Sequence, residues 1–266
     1  MAASRREVLQ LILSFVGVSA GIFLLNPFLP LKAARILFVG LWVLLPLHIL
    51  LSHHPKIRNH VTRFAVVFGL VTGLFMEMIA ERGLAWHYET ALPFAHINTL
   101  PLEALGWYVL WFGVTAALYR VFFDRDRHST KPINFIRDHR TLLVCLFVIV
   151  MSAIAIAFFW TPSSPDFLTY LILLGPCFVA PTVYALILHP HLFLPMVKTS
   201  ASLLVFAVAF EIVGLTVGWW TYPGSYLFAL PIGNAAILPL EEIVFWLIAG
   251  PFFVIALYEE FERKFR

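Results

Sequence analysis

Long apolar runs broken by short polar stretches recur along the whole chain. They lie near Val8–Leu25, Ile36–Leu51, Phe64–Ile79, Leu102–Phe123, Leu142–Trp160, Phe167–Leu188, Ser202–Trp219 and Ile237–Tyr258. A helix crossing a bilayer needs about 17–25 predominantly apolar residues. The second run is short, so it would tilt or extend. Lipid offers no partner to a backbone N–H or C=O, so each run must satisfy its own amides, and the helix is the form that does so. The pattern predicts an all-α membrane protein of about eight transmembrane helices.

Composition and charge support this pattern. Hydrophobic residues make up 61% of the 266 and charged residues only 12%, with a mean hydropathy of +0.89. A soluble domain carries about 25% charge. If the loops are assigned alternately to two sides, 15 of the 18 Lys and Arg residues fall on the side of the N-terminus. The others are Lys32, Arg35 and Arg82. An odd or misplaced span would scramble that split, and the positive-inside rule then predicts both termini in the cytoplasm of a multi-pass cell-membrane protein. The net charge of +3 sits in loops and reads as topology, not as a nucleic-acid footprint. Cys145 and Cys177 lie inside apolar runs and are expected to act as small hydrophobes. The first run reads as a retained helix, with no small-residue cleavage site after it.

The pattern also repeats. Glu77-x8-Trp86-x-Tyr88 recurs as Glu211-x8-Trp220-x-Tyr222 at a shift of 134, and Pro101-Leu102-Glu103 recurs as Pro239-Leu240-Glu241 at a shift of 138. The shift of 134 also lays the first two runs on the fifth and sixth. The longest polar stretch, Asp124 to Arg140, divides the copies. The expected organisation is a four-helix repeat over 1–123, a cytoplasmic linker over 124–140 and a second four-helix repeat over 141–266. Two even-numbered repeats share one orientation, which implies a pseudo-twofold axis along the membrane normal.

Each copy gathers its polar groups toward the extracytoplasmic side. One helix ends near a Glu, a loop carries Trp-x-Tyr, and the next helix opens with Pro-Leu-Glu. Carboxylates inside a membrane are expensive, about 2.5–3.5 kcal/mol for an Asp at a helix centre on insertion scales. Glu77 and Glu211 sit in apolar runs with no basic residue within a helical turn, so they are expected to hold their protons. Glu241 and Glu242 are adjacent, and with Glu211 nearby their repulsion would keep at least one proton in the site. Phe245 follows Glu241 by four residues and Trp107 follows Glu103 by four, one helix face in each case. Aromatic faces stabilise cations by about 0.5–2 kcal/mol. A proton donor beside aromatic faces in a dry site suits chemistry that makes a carbocation from an alkene. The same pieces also have ordinary structural readings. Pro then Glu is a common helix start, Trp and Tyr at an interface form an aromatic belt, and buried Glu residues serve as hydrogen-bonding groups.

Other chemistries find little here. His53, His54, His60, His189 and His191 gather at the cytoplasmic side, but no carboxylate or Cys stands at ligand spacing in the sequence, so no metal is expected. There is no dinucleotide or P-loop glycine motif, and no Asp-rich Mg²⁺ pair in the spans. No cofactor is expected.

The stretch from Glu211 to Glu242, EIVGLTVGWWTYPGSYLFALPIGNAAILPLEE, followed by IVFW, resembles the lycopene cyclase domain of heterodimeric bacterial, archaeal and fungal bifunctional carotenoid cyclases. That family pairs two three-helix units, each with an acid, a G-x-W-x-[FY] element and a P-[LI]-E-E-x-x-[FL]-F helix start. Glu241, Glu242, Trp220, Tyr222 and Phe245 match these positions, and the first half looks like a diverged second copy. The chain has Glu77 and Glu211 where the family has Asp, Ala104 where it has a second Glu, and an extra leading helix in each half. The resemblance implies non-redox cyclisation of an acyclic carotenoid or isoprenoid end group. It assigns Glu241 or Glu242 as acid, Glu211 as tuner or base, and Trp220, Tyr222 and Phe245 as shields for the cation, with Trp219 and Trp246 beside them. Glu77, Glu103, Trp86, Tyr88 and Trp107 would form a degenerate second site. The expected partners are a polyene or isoprenoid substrate, the bilayer, and other carotenoid-pathway enzymes or a second copy of the chain. Two alternatives remain: hydration of the same cation, and a non-catalytic protein that binds or transports lipid.

Overall fold

A computed structural model describes residues 5–25, 28, 31–83, 86–88, 96–97, 100–124, 175–216, 218, 220–224, 226–232 and 236–263. Within them the chain is mostly helical. Helix α1 runs Arg5–Leu25, α2 Leu31–His53 and α3 Pro55–Gly83. Helix α4 runs Leu102–Leu118 and continues as a π-helical turn over Tyr119–Phe123. Helix α5, Gly175–Leu188, meets a 3₁₀ turn at Pro190–Leu192 that leads into α6, Phe193–Thr216. A π-helical segment, Glu242–Ile248, runs into α7, Ala249–Arg263.

Among the described residues four helical stretches are long and apolar enough to cross a membrane: Pro55–Glu77, Leu102–Phe123, Pro190–Thr216 and Glu242–Glu262. The expected run Leu142–Trp160, the linker beyond Asp124 and the start of the run Phe167–Leu188 lie outside the described residues. The eight spans and the division at 124–140 are therefore not spanned by this description.

The expectation of helix alone needs correction. Among the described residues there are three short antiparallel ribbons. Strands β1 (His87–Tyr88) and β4 (Trp220–Thr221) pair, β2 (His96–Ile97) pairs with β3 (Leu100–Pro101), and β5 (Ala229–Ile232) pairs with β6 (Ala236–Pro239). The last expected helix, from Ile237, starts instead after Pro239. Pro disfavours the helical region for the residue before it, so Leu238 is extended and the apolar Ile237-Leu238 pair belongs to a strand. Pro101 likewise ends a strand, and α4 begins at Leu102.

The molecule is apolar on its outside. Leu13, Val71, Val183, Ile187 and Val205 are exposed along their helices, while Glu77, Glu211, Glu241, Glu242 and Glu262 are buried with a dense set of Trp, Phe and Tyr rings. Aliphatic exterior and acidic, aromatic interior is the distribution that lipid as solvent selects, since it leaves carboxyl groups partners only inside.

Small residues set the closest helix contact. Gly69 and Gly73 lie one turn apart on α3, and a Cβ on Gly69 would stand 2.7 Å from the Val109 Cα of α4. A Cβ on Gly73 would stand 2.9 Å from the Tyr108 ring. This small-xxx-small spacing lets helix backbones approach. At the opposite end from the Trp-x-Tyr ribbon, Tyr119 Oη donates to Glu259 Oε1 at 2.8 Å and Tyr258 Oη donates to Glu262 Oε1 at 2.5 Å. Arg120 pairs with Asp124, and its Nε lies 3.4 Å from Glu262 Oε1. These contacts clamp the ends of α4 and α7 together.

Replacing Gly69 by Ala puts a methyl group into backbone that has no side chain to move aside. The substitution should cost about 1–3 kcal/mol and lower the thermal midpoint of the detergent-solubilised protein by several degrees. An unchanged midpoint in a scanning-fluorimetry melt would remove this contact from the account of packing.

Candidate functional site

The second Trp-x-Tyr element is built by two glycines and a helix end. After α6 the chain turns at Gly218, whose φ of 70° is left-handed backbone that glycine adopts without strain. The Gly218 amide closes the turn on the Leu215 carbonyl at 3.2 Å. Strand β4 then runs back along the helix, and the Trp220 indole lies over Gly214, where a Cβ would overlap its ring. That path carries Trp220 Nε1 to Glu211 Oε2, to which it donates at 2.8 Å. Tyr222 Oη donates to the same oxygen at 3.0 Å. Glu211, Trp220 and Tyr222, read from the sequence as one motif, therefore form one hydrogen-bonded unit.

The hairpin β5–β6 delivers the second acid. Leu240 N–H donates to the Phe228 carbonyl at 2.9 Å, which holds the start of the helix against the hairpin. The neighbouring Leu227 N–H donates to Glu241 Oε1 at 2.5 Å. Glu241 is buried, yet its Oε2 has no hydrogen-bond partner among the described residues. Tyr222 and Tyr226 meet edge to face at 6.1 Å, so the loop that bonds Glu241 also contacts the ring bonded to Glu211. Glu242 is buried at the first position of the π-helical segment. Such wide turns occur often at functional sites, and here Ser200 Oγ donates to the Ile248 carbonyl at its end, at 3.0 Å.

Rings run from this site into the bundle. Trp220 stacks on Phe210 at 5.0 Å, Phe210 on Trp107 at 4.8 Å with planes 4° apart, Trp107 on Trp111 at 5.8 Å and Trp111 on Trp246 at 6.2 Å. Trp246 also meets Tyr108 and Phe178. Phe210 was not singled out in the sequence, though it precedes Glu211 directly and links the two halves of the chain.

The first-half acids lie at different depths. Glu77 is buried and Glu103 half-buried. Trp107 stacks on Phe210 of the second half. Trp86 packs against Tyr222, Leu215 and Leu238 as well as against the main core. Its loop pairs with the other: His87 faces Thr221 and Tyr88 faces Trp220 in the β1–β4 register. Phe245 is half-buried against the core. The Tyr88 side chain and all of Trp219 lie outside the described residues.

One sequence reading is altered by the tertiary structure. A carboxylate does stand near the histidines: Glu7 Oε1 lies 3.4 Å from His54 Nε2 and 4.0 Å from His53 Nδ1. Spacing could not reveal it, because Glu7 comes from another helix. Among the described residues no group of three or more His, Cys, Asp or Glu side chains is arranged to hold a metal. Cys177 is buried in the apolar core.

No family model, no curated protein and no solved structure matches this chain.

Because the Trp220 indole occupies the space of a Gly214 side chain, Gly214→Val should drive the ring off Glu211. Near-ultraviolet circular dichroism should lose the Trp220 contribution, with the same difference seen for Trp220→Phe and no further change in the double variant. A full, undiminished Trp220 signal in Gly214→Val would show that the glycine does not position the ring.

Proposed function

We propose that this chain is a multi-pass membrane enzyme that cyclises the end group of an acyclic carotenoid or isoprenoid without a redox cofactor, with both termini in the cytoplasm. The observation that carries this reading is the pair Glu211 and Glu241: two buried acids held by one loop system against a run of aromatic rings, one of them with an oxygen that no described residue satisfies.

The two acids differ in a way that suits two roles. Glu241 Oε1 is occupied by the Leu227 amide, which orients the group, and a proton on Oε2 has no local acceptor to hold it. Such a proton is available to an alkene. Glu211 Oε2 receives two donors, as a proton acceptor does when it is held in place. In the proposed sequence Glu241 adds its proton to the terminal double bond and a tertiary cation forms. An internal double bond supplies its electron pair, which closes the ring and moves the cation inward. Glu211 removes a proton from the adjacent carbon, restoring a double bond. That proton returns to Glu241 before the next turnover, so the product is an isomer of the substrate. Trp220 and Tyr222 border the acids, and Phe210 and Trp107 continue the aromatic wall. Ring faces of this kind stabilise a cation by about 0.5–2 kcal/mol each, and an apolar surround keeps water from capturing it.

The layout of two parallel repeats belongs to the same reading. It is supported by the β1–β4 register. His87 pairs with Thr221, its own counterpart at the shift of 134, and Tyr88 pairs with Trp220, the counterpart of Trp86. An antiparallel ribbon centred on equivalent residues is what a twofold axis through its middle would generate. In both halves a hairpin also ends on the Pro of Pro-Leu-Glu, with His96 facing Pro101 and Ala229 facing Pro239.

Expression in cells that accumulate lycopene, followed by chromatography and mass analysis of the pigments, tests the activity. An isomeric, cyclised product is expected. A product heavier by one water would replace cyclisation with hydration. No new pigment from a folded, membrane-inserted protein would leave a lipid-binding or transport role. Glu241→Gln should lower turnover by about 10²–10⁴-fold, the range for removal of a general acid, and full activity in that folded variant would overturn the assignment.

A further inference from the structure

The hairpin β5–β6 rests on the bundle by one strand only. Leu238 of β6 is 1% exposed and packs with Leu215 and Tyr222. On the other strand and just before it, Leu227 is 53% exposed, Phe228 65% and Leu230 47%, and Ala229 and Pro231 are exposed with them. Side chains along a strand point alternately to opposite faces, so exposed residues in unbroken succession leave both faces of β5 uncovered. The sequence carries no charged residue and no histidine anywhere between Glu211 and Glu241. An edge strand that meets water is commonly guarded by charges, lysine above all. This one presents leucine and phenylalanine.

The backbone of β5 suits the same surroundings. The Leu240 amide bonds the Phe228 carbonyl. In the register of the hairpin, Phe228, Leu230 and Ile232 therefore turn their peptide groups toward β6, and Leu227, Ala229 and Pro231 turn theirs away. Of the outward positions, Leu227 gives its N–H to Glu241, and proline at 231 has none to give. Ala229 is left as the outward donor on that edge. A strand added by a second copy of the chain would need a donor at every second residue, so this edge is a poor template for one.

The exposed apolar surface also runs on beyond the hairpin. Leu240, set beside Phe228 by their hydrogen bond, is exposed, and so are Val244 and Ile248 at successive intervals of four. The last two belong to Glu242–Glu262, one of the stretches long and apolar enough to cross a membrane. The hairpin thus extends the aliphatic outer surface of the bundle without a polar break.

We propose that β5 is seated in a phospholipid leaflet, with Leu227, Phe228 and Leu230 among the acyl chains and the Ala229 N–H received by lipid ester oxygens at the interface. An uncharged face that continues a lipid-facing helix is matched by lipid, which asks for apolar bulk and few backbone donors. The seat rests on the membrane-spanning reading above and not on the cyclase chemistry. It also gives that chemistry a location. The strand that meets lipid is tied through the Leu227 and Leu240 amides to the helix start that carries Glu241. The acid then stands behind β5, on the side from which a substrate dissolved in the bilayer arrives.

Spin-label accessibility tests the proposal, with the full-length chain in phosphatidylcholine vesicles and Cys145 and Cys177 replaced by Ala. A nitroxide is attached in turn at Phe228→Cys, Leu230→Cys, Val244→Cys as the helix reference and Lys56→Cys as the water reference. Molecular oxygen concentrates among acyl chains and a neutral nickel chelate in water. The ratio of oxygen to nickel collisions should be several-fold higher at Phe228 and Leu230 than at Lys56, and should approach that at Val244. Labels at Phe228 and Leu230 open to nickel, with Val244 open to oxygen, would put the hairpin in water and overturn the seat while the membrane reading stands. A Val244 label as open to nickel as Lys56 would overturn both. Labels at Phe228 and Leu230 that meet neither reagent would show protein covering the strand and overturn the lipid seat. Spin–spin broadening that disappears on dilution with unlabelled chain would then identify a second copy as the cover. The pigment chromatography described above reports on the cyclase reading independently of these collisions.

Discussion

A carboxyl group inside a bundle of apolar helices must be given donors by the same chain, and much of this structure follows from how Glu211 receives them. The two donors come from the loop that follows its own helix. To bring them back, the chain must reverse within a few residues, which requires the left-handed turn at Gly218, and a large ring must lie flat on the helix, which requires that Gly214 have no side chain. The motif Glu-x8-Trp-x-Tyr is thus a folding instruction as much as a set of reactive groups. The eight intervening residues are the length of chain needed to finish α6, turn and return.

The same constraint organises the interior. Acids in an apolar medium force the surrounding chain to be polar where it touches them and allow it to be aromatic everywhere else. Trp and Tyr satisfy both demands, since each presents one donor at the tip of a large apolar surface. The stack Trp220–Phe210–Trp107–Trp111–Trp246 runs from Glu211 across α6, α4 and the π-helical segment. It fixes the orientation of each ring by its neighbours. Aliphatic residues are displaced outward, where lipid-like surroundings ask only for bulk.

The helices were legible because lipid-length apolar runs leave few alternatives, and α1 to α4 and α6 fall on the expected runs with ends extended by several residues. The ribbons were not. Ala229–Ile232 and Ala236–Pro239 are as apolar as a helix, and only Pro239, by excluding the helical region for Leu238, betrays the strand. The membership of Glu211, Trp220 and Tyr222 in one site was legible from the recurrence of their spacing. The contact of Trp107 with Phe210 was not, because i, i+4 spacing reports which residues share a helix face and not which helix that face meets. Glu7 escaped the histidine reading for the same reason.

The two halves repeat a motif in sequence, and the β1–β4 ribbon brings its two loops side by side. The residue that corresponds to Gly214 at the shift of 134 is Ala80. Trp86 packs against the small cluster of Leu215, Tyr222 and Leu238 beneath the second-half loop. Ala104, where the second half has Glu242, removes an acid from the same end of the molecule. Trp86 and Trp107 of the first half thus stand as walls beside second-half side chains, with the β1–β4 ribbon as the seam between the two loops.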